Sequence, residues 1–272
     1  MKTFNKRFVL ISGGSSGIGL ALANEFAKRG SNICILARRE EVLAKAILEI
    51  KSHCILTSQV VIGLSLDVTN RELIKERILA IISEHGTPDI LINSAGVAHP
   101  GQFEELEMEI FDWMINVNYM GTVNMCKAII PYMLERQSGT IVNISSVAGF
   151  LGVYGYTAYC GSKFAVKGFS DALRSEMKPH NINVQIVFPP DTQTPQLDYE
   201  NQYKPRITKA LSSSAGVMPA DKVAQEIIKG IQRGSSVIIP GFESKLMYGL
   251  SNLLGKWMYP LMDLMVKNAA KK

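Results

Sequence analysis

A chain of 272 residues with 47% hydrophobic and 19% charged side chains has the composition of a packed globular protein, which excludes a disordered chain. Its net charge of +5 comes from Lys and Arg spread along the chain rather than gathered in a stripe. That argues against nucleic acid as a partner and suits an anionic cofactor or an anionic membrane surface.

In chain order, the apolar run Phe8 to Ile11 is shorter than the ~7–15 residue core of a secretory signal, so it reads as a buried strand. A cytoplasmic location is expected, with peripheral membrane contact left open. Cys34, Cys54, Cys126 and Cys160 lack short paired spacing and read as reduced thiols, not as a disulfide frame or a zinc site. No metal site is expected, since His99 and His180 have no matching ligands at metal spacing. Short runs rich in Val and Ile predict strands at Phe8–Ser12, Ile33–Ala37, Val60–Leu66, Ile90–Asn93, Thr140–Ile144, Val184–Val187 and Val237–Ile239. Helical patterns fill the intervals at Ile18–Arg29, Glu40–Lys51, Glu72–Glu84, Glu109–Gln137, Ala158–Lys178 and Ala220–Arg233. This alternation predicts an α/β fold, a doubly wound seven-stranded parallel sheet (Rossmann fold) in one domain.

Two stretches break the alternation. Residues 189–217 are rich in Pro, Ser, Thr and Gln without a period, which predicts a long functional loop or lid. Residues 246–266 are apolar but interrupted by Lys256, Pro260 and Asp263, so a clean span of ~20 apolar residues is missing. The organisation expected is a reductase domain over 1–243, including the lid, and an apolar extension over 244–272. That extension reads either as a helix pair lying in a membrane interface, anchored by Trp257 and Tyr259 with Lys267, Lys271 and Lys272, or as a segment packed on the cleft or on a partner subunit.

The first strand runs into Ser12-Gly13-Gly14-Ser15-Ser16-Gly17-Ile18-Gly19. Glycines let the backbone turn tightly and approach a pyrophosphate, while the next helix offers free N–H groups and its positive dipole end. At the end of the second strand an NAD site usually carries a carboxylate; this chain has Arg38 and Arg39, whose guanidinium forks match a 2′-phosphate, and so favours NADPH. Both arginines could instead be solvated residues at a helix start.

Tyr159 and Lys163 stand four apart on one helix face. A phenol titrates near pH 10, and a neighbouring ammonium favours the phenolate, so the pair can move a proton to or from a carbonyl oxygen. With these motifs the chain resembles the short-chain dehydrogenase/reductase family over roughly residues 5 to 240. The resemblance rests on Gly13/Gly17/Gly19, Asp67-Val68, Asn93-Ser94-Ala95-Gly96, Asn118 in Asn-Tyr-Met-Gly, Ser145-Ser146 and Tyr159-x-x-x-Lys163. In that family the catalytic Ser precedes the Tyr by thirteen residues, which selects Ser146 over Ser145.

The resemblance implies Tyr159 as proton donor, Ser146 on the substrate carbonyl, Lys163 on the nicotinamide ribose, and Asn118 supporting a water that relays protons to Lys163. It implies a cofactor cradle of Gly13, Ser15, Ser16, Gly17, Ile18 and Gly19, with Arg38 and Arg39 beyond it. Asp67 and Val68 would flank the adenine, and Asn93, Ala95 and Gly96 would line the cleft. Pro189, Thr192 and Thr194 follow the sixth strand, Thr194 at the nicotinamide carboxamide. Structural roles stay open at three of these positions: a helix cap for Asp67, a buried amide satisfied by backbone for Asn118, and a turn for Ser146.

Pro190 stands where the family commonly has Gly, which leaves the local backbone path open. The string Pro189-Pro190-Asp191-Thr192-Gln193-Thr194-Pro195, with the later Pro219-Ala-Asp-Lys-Val-Ala, resembles the branch that reduces 3-keto sphingoid bases. The expected function is NADPH-dependent reduction of such a lipid-like ketone. Reduction of a steroid, retinoid or other small carbonyl, and a non-catalytic NADP(H)-binding sensor, are the alternatives. Family likeness also implies a homodimer or homotetramer packed through the 109–137 and 158–178 helices.

Overall fold

The computed structural model describes residues 4–212 and 216–271. Seven strands form one parallel sheet: β1 (Phe8–Ser12), β2 (Asn32–Ala37), β3 (Val61–Ser65), β4 (Ile90–Asn93), β5 (Gly139–Ile144), β6 (Ile182–Val187) and, late in the chain, β9 (Val237–Ile238). Their spatial order is β3-β2-β1-β4-β5-β6-β9. Strand order reverses between β1 and β4, so a crevice opens beyond the C-terminal ends of those two strands, where doubly wound sheets bind ligands.

Burial on both faces explains the near-continuous apolar strands. In β1, Val9 and Ile11 enter one core, with Leu22 and Phe26 of α1 (Gly17–Ala27), Leu43 and Ile50 of α2 (Glu40–Ser52) and Val223 and Ile227 of α9 (Ala220–Arg233). Phe8 and Leu10 enter the opposite core, with Ile74 and Ile78 of α3 (Arg71–His85), Ile129 and Met133 of α5 (Gly121–Arg136) and Leu173 of α6 (Thr157–Met177). Successive side chains of a strand point to opposite faces, so most are apolar when both faces are covered. Six helices thus sandwich the sheet.

Three departures from the sequence expectations matter for the site. The helix expected over 109–137 is interrupted: α4 (Met108–Met114) passes into a π-helical stretch, Ile115–Met120, before α5 begins. Such widened turns tend to occur at functional positions, and this one carries Asn118. Next, the stretch expected as a long loop over 189–217 is structured where it is described. It contains β7 (Thr192–Gln193), α7 (Pro195–Tyr203) and α8 (Arg206–Ser212), and β7 pairs in parallel with β8 (Met218–Pro219). Residues 213–215 of that stretch lie outside the described residues. Finally, the C-terminal extension forms α10 (Phe242–Leu254) and α11 (Met258–Ala270). Tyr248 of α10 stacks on Phe188 with ring centroids 5.7 Å apart, and Arg206 of α8 donates to the Ala270 carbonyl at 3.1 Å. No helix among the described residues is long and apolar enough to cross a membrane.

Candidate active site

A cavity of about 260 Å³ lies at the crevice beyond β1 and β4. Its floor is the glycine turn. Gly13 has φ +69°, and a Cβ there would stand 2.6 Å from the Ala95 backbone nitrogen; Gly17 has φ +55° and a Cβ there would press on the Thr194 methyl at 3.0 Å. Only glycine meets both the left-handed conformation and the close approach. Among the described residues no side chain caps α1 at Ser16, and Ser16, Gly17 and Ile18 at its start line the cavity. A helix start left open in this way is a ready anion site, and it fits a dinucleotide pyrophosphate.

The cavity wall gathers Ser146, Tyr159 and Lys163 from separate segments. Ser146 follows β5 in extended conformation and accepts from the Ala148 N–H at 3.2 Å, a turn contact that leaves its hydroxyl at the cavity. It also bonds the Tyr159 hydroxyl. The neighbouring Ser145 is already engaged, donating to the Lys163 carbonyl at 3.0 Å. Lys163 is buried, donates to the Ile144 carbonyl at 3.1 Å, and has its ammonium 5.6 Å from the Tyr159 ring centre.

The electrostatics differ from the simple pairing expected of Tyr159 and Lys163. Burial, and next the Glu200 carboxylate, push the Tyr159 phenol well above its ordinary value, and the Ser146 bond offsets this only in part. Burial pulls Lys163 down to about 8, with Glu200 opposing. Desolvation disfavours whichever form is charged, and here it outweighs the mutual attraction of the pair. Tyr159 is therefore held protonated.

Asn118 uses its whole amide. Its Oδ1 accepts from Val97 N–H at 2.7 Å, and its Nδ2 donates to the Val97 carbonyl and to Ser162 Oγ, both at 2.9 Å. The π-helical stretch aims it at the loop after β4 and at α6 together, beside Gly96, where an added Cβ would lie 3.3 Å from Asn118 Oδ1 and 3.4 Å from Lys163 Nζ. Ala95, Gly96, Ile18, Pro189, Thr192 and Thr194 also line the cavity. Past Pro190 the chain continues without interruption into β7, Asp191 accepting from Met218 N–H at 2.9 Å.

Other expected residues stand elsewhere. Asn93 does not reach the cleft with its side chain: it is buried and donates to Asn143 Oδ1 at 2.8 Å and to Cys126 Sγ at 3.4 Å, tying β4 to β5 and α5. Ser15 and Gly19 support the turn from behind, outside the cavity lining. Arg38 and Arg39 are exposed past β2, and Arg38 stands 3.8 Å from the Asp67 carboxylate. Asp67 accepts from the Thr69 N–H and hydroxyl, both at 2.8 Å, while the cap of α3 is Asn70. Val68 is buried against Gly121.

The sequence reading expected a lid over the site but missed Glu200, the carboxylate that this segment brings to the cavity. Glu200 of α7 is buried at the cavity, accepting from the Tyr156 hydroxyl at 2.6 Å and from Gln196 at 2.8 Å. His99 meets the same helix, 2.8 Å from the Tyr199 hydroxyl. The available signal was Thr194-Pro195, an N-cap followed by a proline at the first helical position; Thr194 Oγ1 accepts from Leu197 N–H at 3.3 Å.

A doubly wound sheet with an anion cradle at its switch point and a Ser–Tyr–Lys group beside it defines a dinucleotide-dependent oxidoreductase. The short chain dehydrogenase family model matches residues 7–204, and the chain belongs to that family. It is 42% identical to the 3-ketodihydrosphingosine reductase of Bos taurus over 228 residues, covering 84% of this chain and 69% of the relative. The Dictyostelium discoideum 3-ketodihydrosphingosine reductase is 36% identical over 274 residues, covering 96% and 82%. Among solved structures, a short-chain dehydrogenase from Sphingobium yanoikuyae in complex with NADPH superposes with a TM-score of 0.78 at 28% identity, covering 94% of this chain and 95% of that one.

Proposed function

We propose that the chain reduces 3-ketodihydrosphingosine, a long-chain 2-amino-3-ketone, to the secondary alcohol at the expense of NADPH. The observation that carries this reading is the meeting of Ser146, Tyr159 and Lys163 in one cavity beside the glycine turn, in a chain 42% identical to a reductase named for that substrate.

The residues present fit NADPH. Gly13, Ser16, Gly17 and Ile18 would hold its diphosphate, with Ser15 and Gly19 shaping the turn, and Arg38 and Arg39 would receive the 2′-phosphate. The Arg38–Asp67 pair is exposed, so redirecting the guanidinium costs little. Asp67 and Val68 would border the adenine. Ala95, Gly96, Pro189, Thr192 and Thr194 would enclose the nicotinamide half, with Asn93 acting from beneath through the sheet. When bound, the cofactor supplies a hydride. The chain supplies the rest: Ser146 and Tyr159 take the ketone oxygen between their hydroxyls, and Tyr159 passes its proton to that oxygen as negative charge develops there. Lys163, fixed on the Ile144 carbonyl, and Asn118, fixed on Val97 and Ser162, hold the proton path behind Tyr159.

For the extension, α10 and α11 are a monolayer anchor. Phe242, Leu253, Trp257 and Tyr259 are 79%, 80%, 67% and 73% exposed, with Lys256, Lys267 and Lys271 among them, the composition of an interfacial helix pair. Because α11 lies against the lid helix α8, an anchored pair would set the cavity mouth at the lipid surface. A homodimer or homotetramer through α4–α5 and α6 follows the habit of the family and stands as part of this reading.

An NADPH-oxidation assay across ketones of increasing chain length tests the proposal. Long-chain 3-ketodihydrosphingosine is expected to exceed short ketones and steroids in kcat/KM. Tyr159→Phe is expected to lower kcat by roughly 10²–10⁴-fold, with NADPH affinity within about threefold of wild type, since only the proton donor is lost. Turnover that survives in the Phe variant, or a steroid preferred over the sphingoid ketone, refutes it.

A further inference from the structure

Among the described residues two carboxylates line the cavity, Asp191 and Glu200; Asp191 is paired with Lys204, and Glu200 has no role in the proton chemistry above. It is 7% exposed and stands on α7, in the cavity lining. Both carboxylate oxygens accept hydrogen bonds, and both donors are neutral: the Tyr156 hydroxyl and the Gln196 amide. Among the described residues no Lys, Arg or His nitrogen lies within ion-pair distance of it. The buried ammonium of Lys204, a residue also 6% exposed, is committed to Asp191 at 3.4 Å. Neutral donors satisfy the lone pairs of a buried carboxylate, but no cation touches it and its charge is offset only at longer range by Lys204, which is costly. Burial accordingly pushes the Glu200 carboxyl above the ordinary carboxylate value, the desolvation cost that an arriving cation would relieve.

The position of this charge is informative. Glu200 binds Tyr156, whose ring centre is 5.7 Å from that of Tyr159. Its field reaches both Tyr159 and Lys163. An anion in that place raises the phenol of the proton donor and so offers no advantage to a neutral ketone. A ligand carrying a positive charge one carbon from the reacting carbonyl uses it directly: with the ketone oxygen between Ser146 and Tyr159, a substituent on the adjacent carbon must lie within the same cavity.

We infer that Glu200 is a specificity residue that receives the 2-ammonium of an amino ketone substrate, an inference that rests on the proposed function. The carboxylate, held on the lid helix by Tyr156 and Gln196, pairs with the substrate ammonium while Ser146 and Tyr159 engage the neighbouring carbonyl. The lid thereby closes on the charge rather than on the chain, and ketones lacking the amine leave Glu200 buried and unpaired.

The test compares two saturated long-chain ketones with NADPH, 3-ketodihydrosphingosine and its des-amino 1-hydroxy-3-ketone, in wild type and Glu200→Gln. The Gln side chain keeps an oxygen for the Tyr156 hydroxyl and loses the charge; its amide nitrogen faces Gln196, whose amide turns to present its carbonyl. Wild type is expected to favour the amino ketone in kcat/KM by on the order of a hundredfold, and the variant to lose most of that ratio, as for a buried charge pair deprived of one partner. An unchanged ratio in a folded variant overturns the inference and leaves the proposed function standing. If the variant does not fold, the wild-type ratio decides, and equal kcat/KM for the two ketones overturns the inference. A wild type that reduces other ketones but not 3-ketodihydrosphingosine removes the functional reading itself.

Discussion

Lys163 shows what the site costs the fold. Its ammonium is buried with one carbonyl bond, and its pKa falls from 10.5 to about 8. Between those values the unfolded chain holds a proton that the folded chain has released, so wild-type stability rises with pH through that window. Below it both states are charged and the full penalty stands, about 3 kcal/mol at ~1.36 kcal/mol per unit. Lys163→Met is therefore expected to raise the unfolding free energy by about 1–3 kcal/mol near pH 7 while removing turnover, the gain shrinking toward about pH 10. Urea denaturation at the two pH values measures it. A variant less stable than wild type at neutral pH would show that the Ile144 contact outweighs desolvation. The residue identities here were legible because the Tyr159–Lys163 pair, common by spacing alone, stands among the other motifs of the family the chain resembles. Their pKa directions were not, because the direction for Tyr159 depends on burial and on Glu200, which arrives from a segment forty-one positions further along.

At the scale of elements, the sheet was legible and the lid was not. A strand covered on both faces is apolar at most positions, so β1, β2 and β4–β6 announce themselves despite the buried Asn93, Asn143 and Gln185. By contrast, α7 reads Pro-Gln-Leu-Asp-Tyr-Glu-Asn-Gln-Tyr, with only Leu197 and Glu200 buried; it leans on the cavity through polar groups and has no apolar stripe to count. The π-helical turn at 115–120 was equally silent, since one extra residue in a helix hardly disturbs its apolar periodicity. Thr194 sets the start of α7 with its hydroxyl and touches Gly17 with its methyl, so the two functions separate by substitution. Thr194→Val keeps the methyl and loses the cap; it is expected to destabilise α7 by about 1 kcal/mol, to speed proteolysis within 195–203 and to raise the ketone KM. Thr194→Ser keeps the cap and should protect α7 as wild type does. Equal proteolysis of the Val variant and wild type would mean that Tyr199, Glu200 and Leu197 hold the lid without its cap.

For the whole molecule, the question is where a water-insoluble ketone meets a soluble cofactor. The glycine turn and α7 both line the cavity, and α8, which follows α7, packs against α11. Tyr248 ties α10 to Phe150 and Phe188, with ring centroids 5.0 and 5.7 Å apart, so the inner side of this helix is packed. Leu253 near its end, Trp257 in the following turn and Tyr259 of α11 are exposed, a concentration of large apolar side chains that scattered surface exposure does not produce. Lys256 stands over the Trp257 ring at 5.7 Å, placing a cation at the depth where headgroup phosphates would lie. Paired Leu253→Glu and Trp257→Glu substitutions remove apolar area and add negative charge without touching the cavity. Co-sedimentation with vesicles containing anionic lipid is expected to fall by at least about tenfold, since each buried side chain is worth roughly 1.5–3 kcal/mol of transfer. Reduction of a short water-soluble ketone should stay unchanged while reduction of vesicle-borne 3-ketodihydrosphingosine declines. Added salt should weaken wild-type binding through the Lys contribution but leave an apolar remainder. Vesicle binding equal in wild type and the double variant would move this face from lipid to a protein partner or a second copy of the chain.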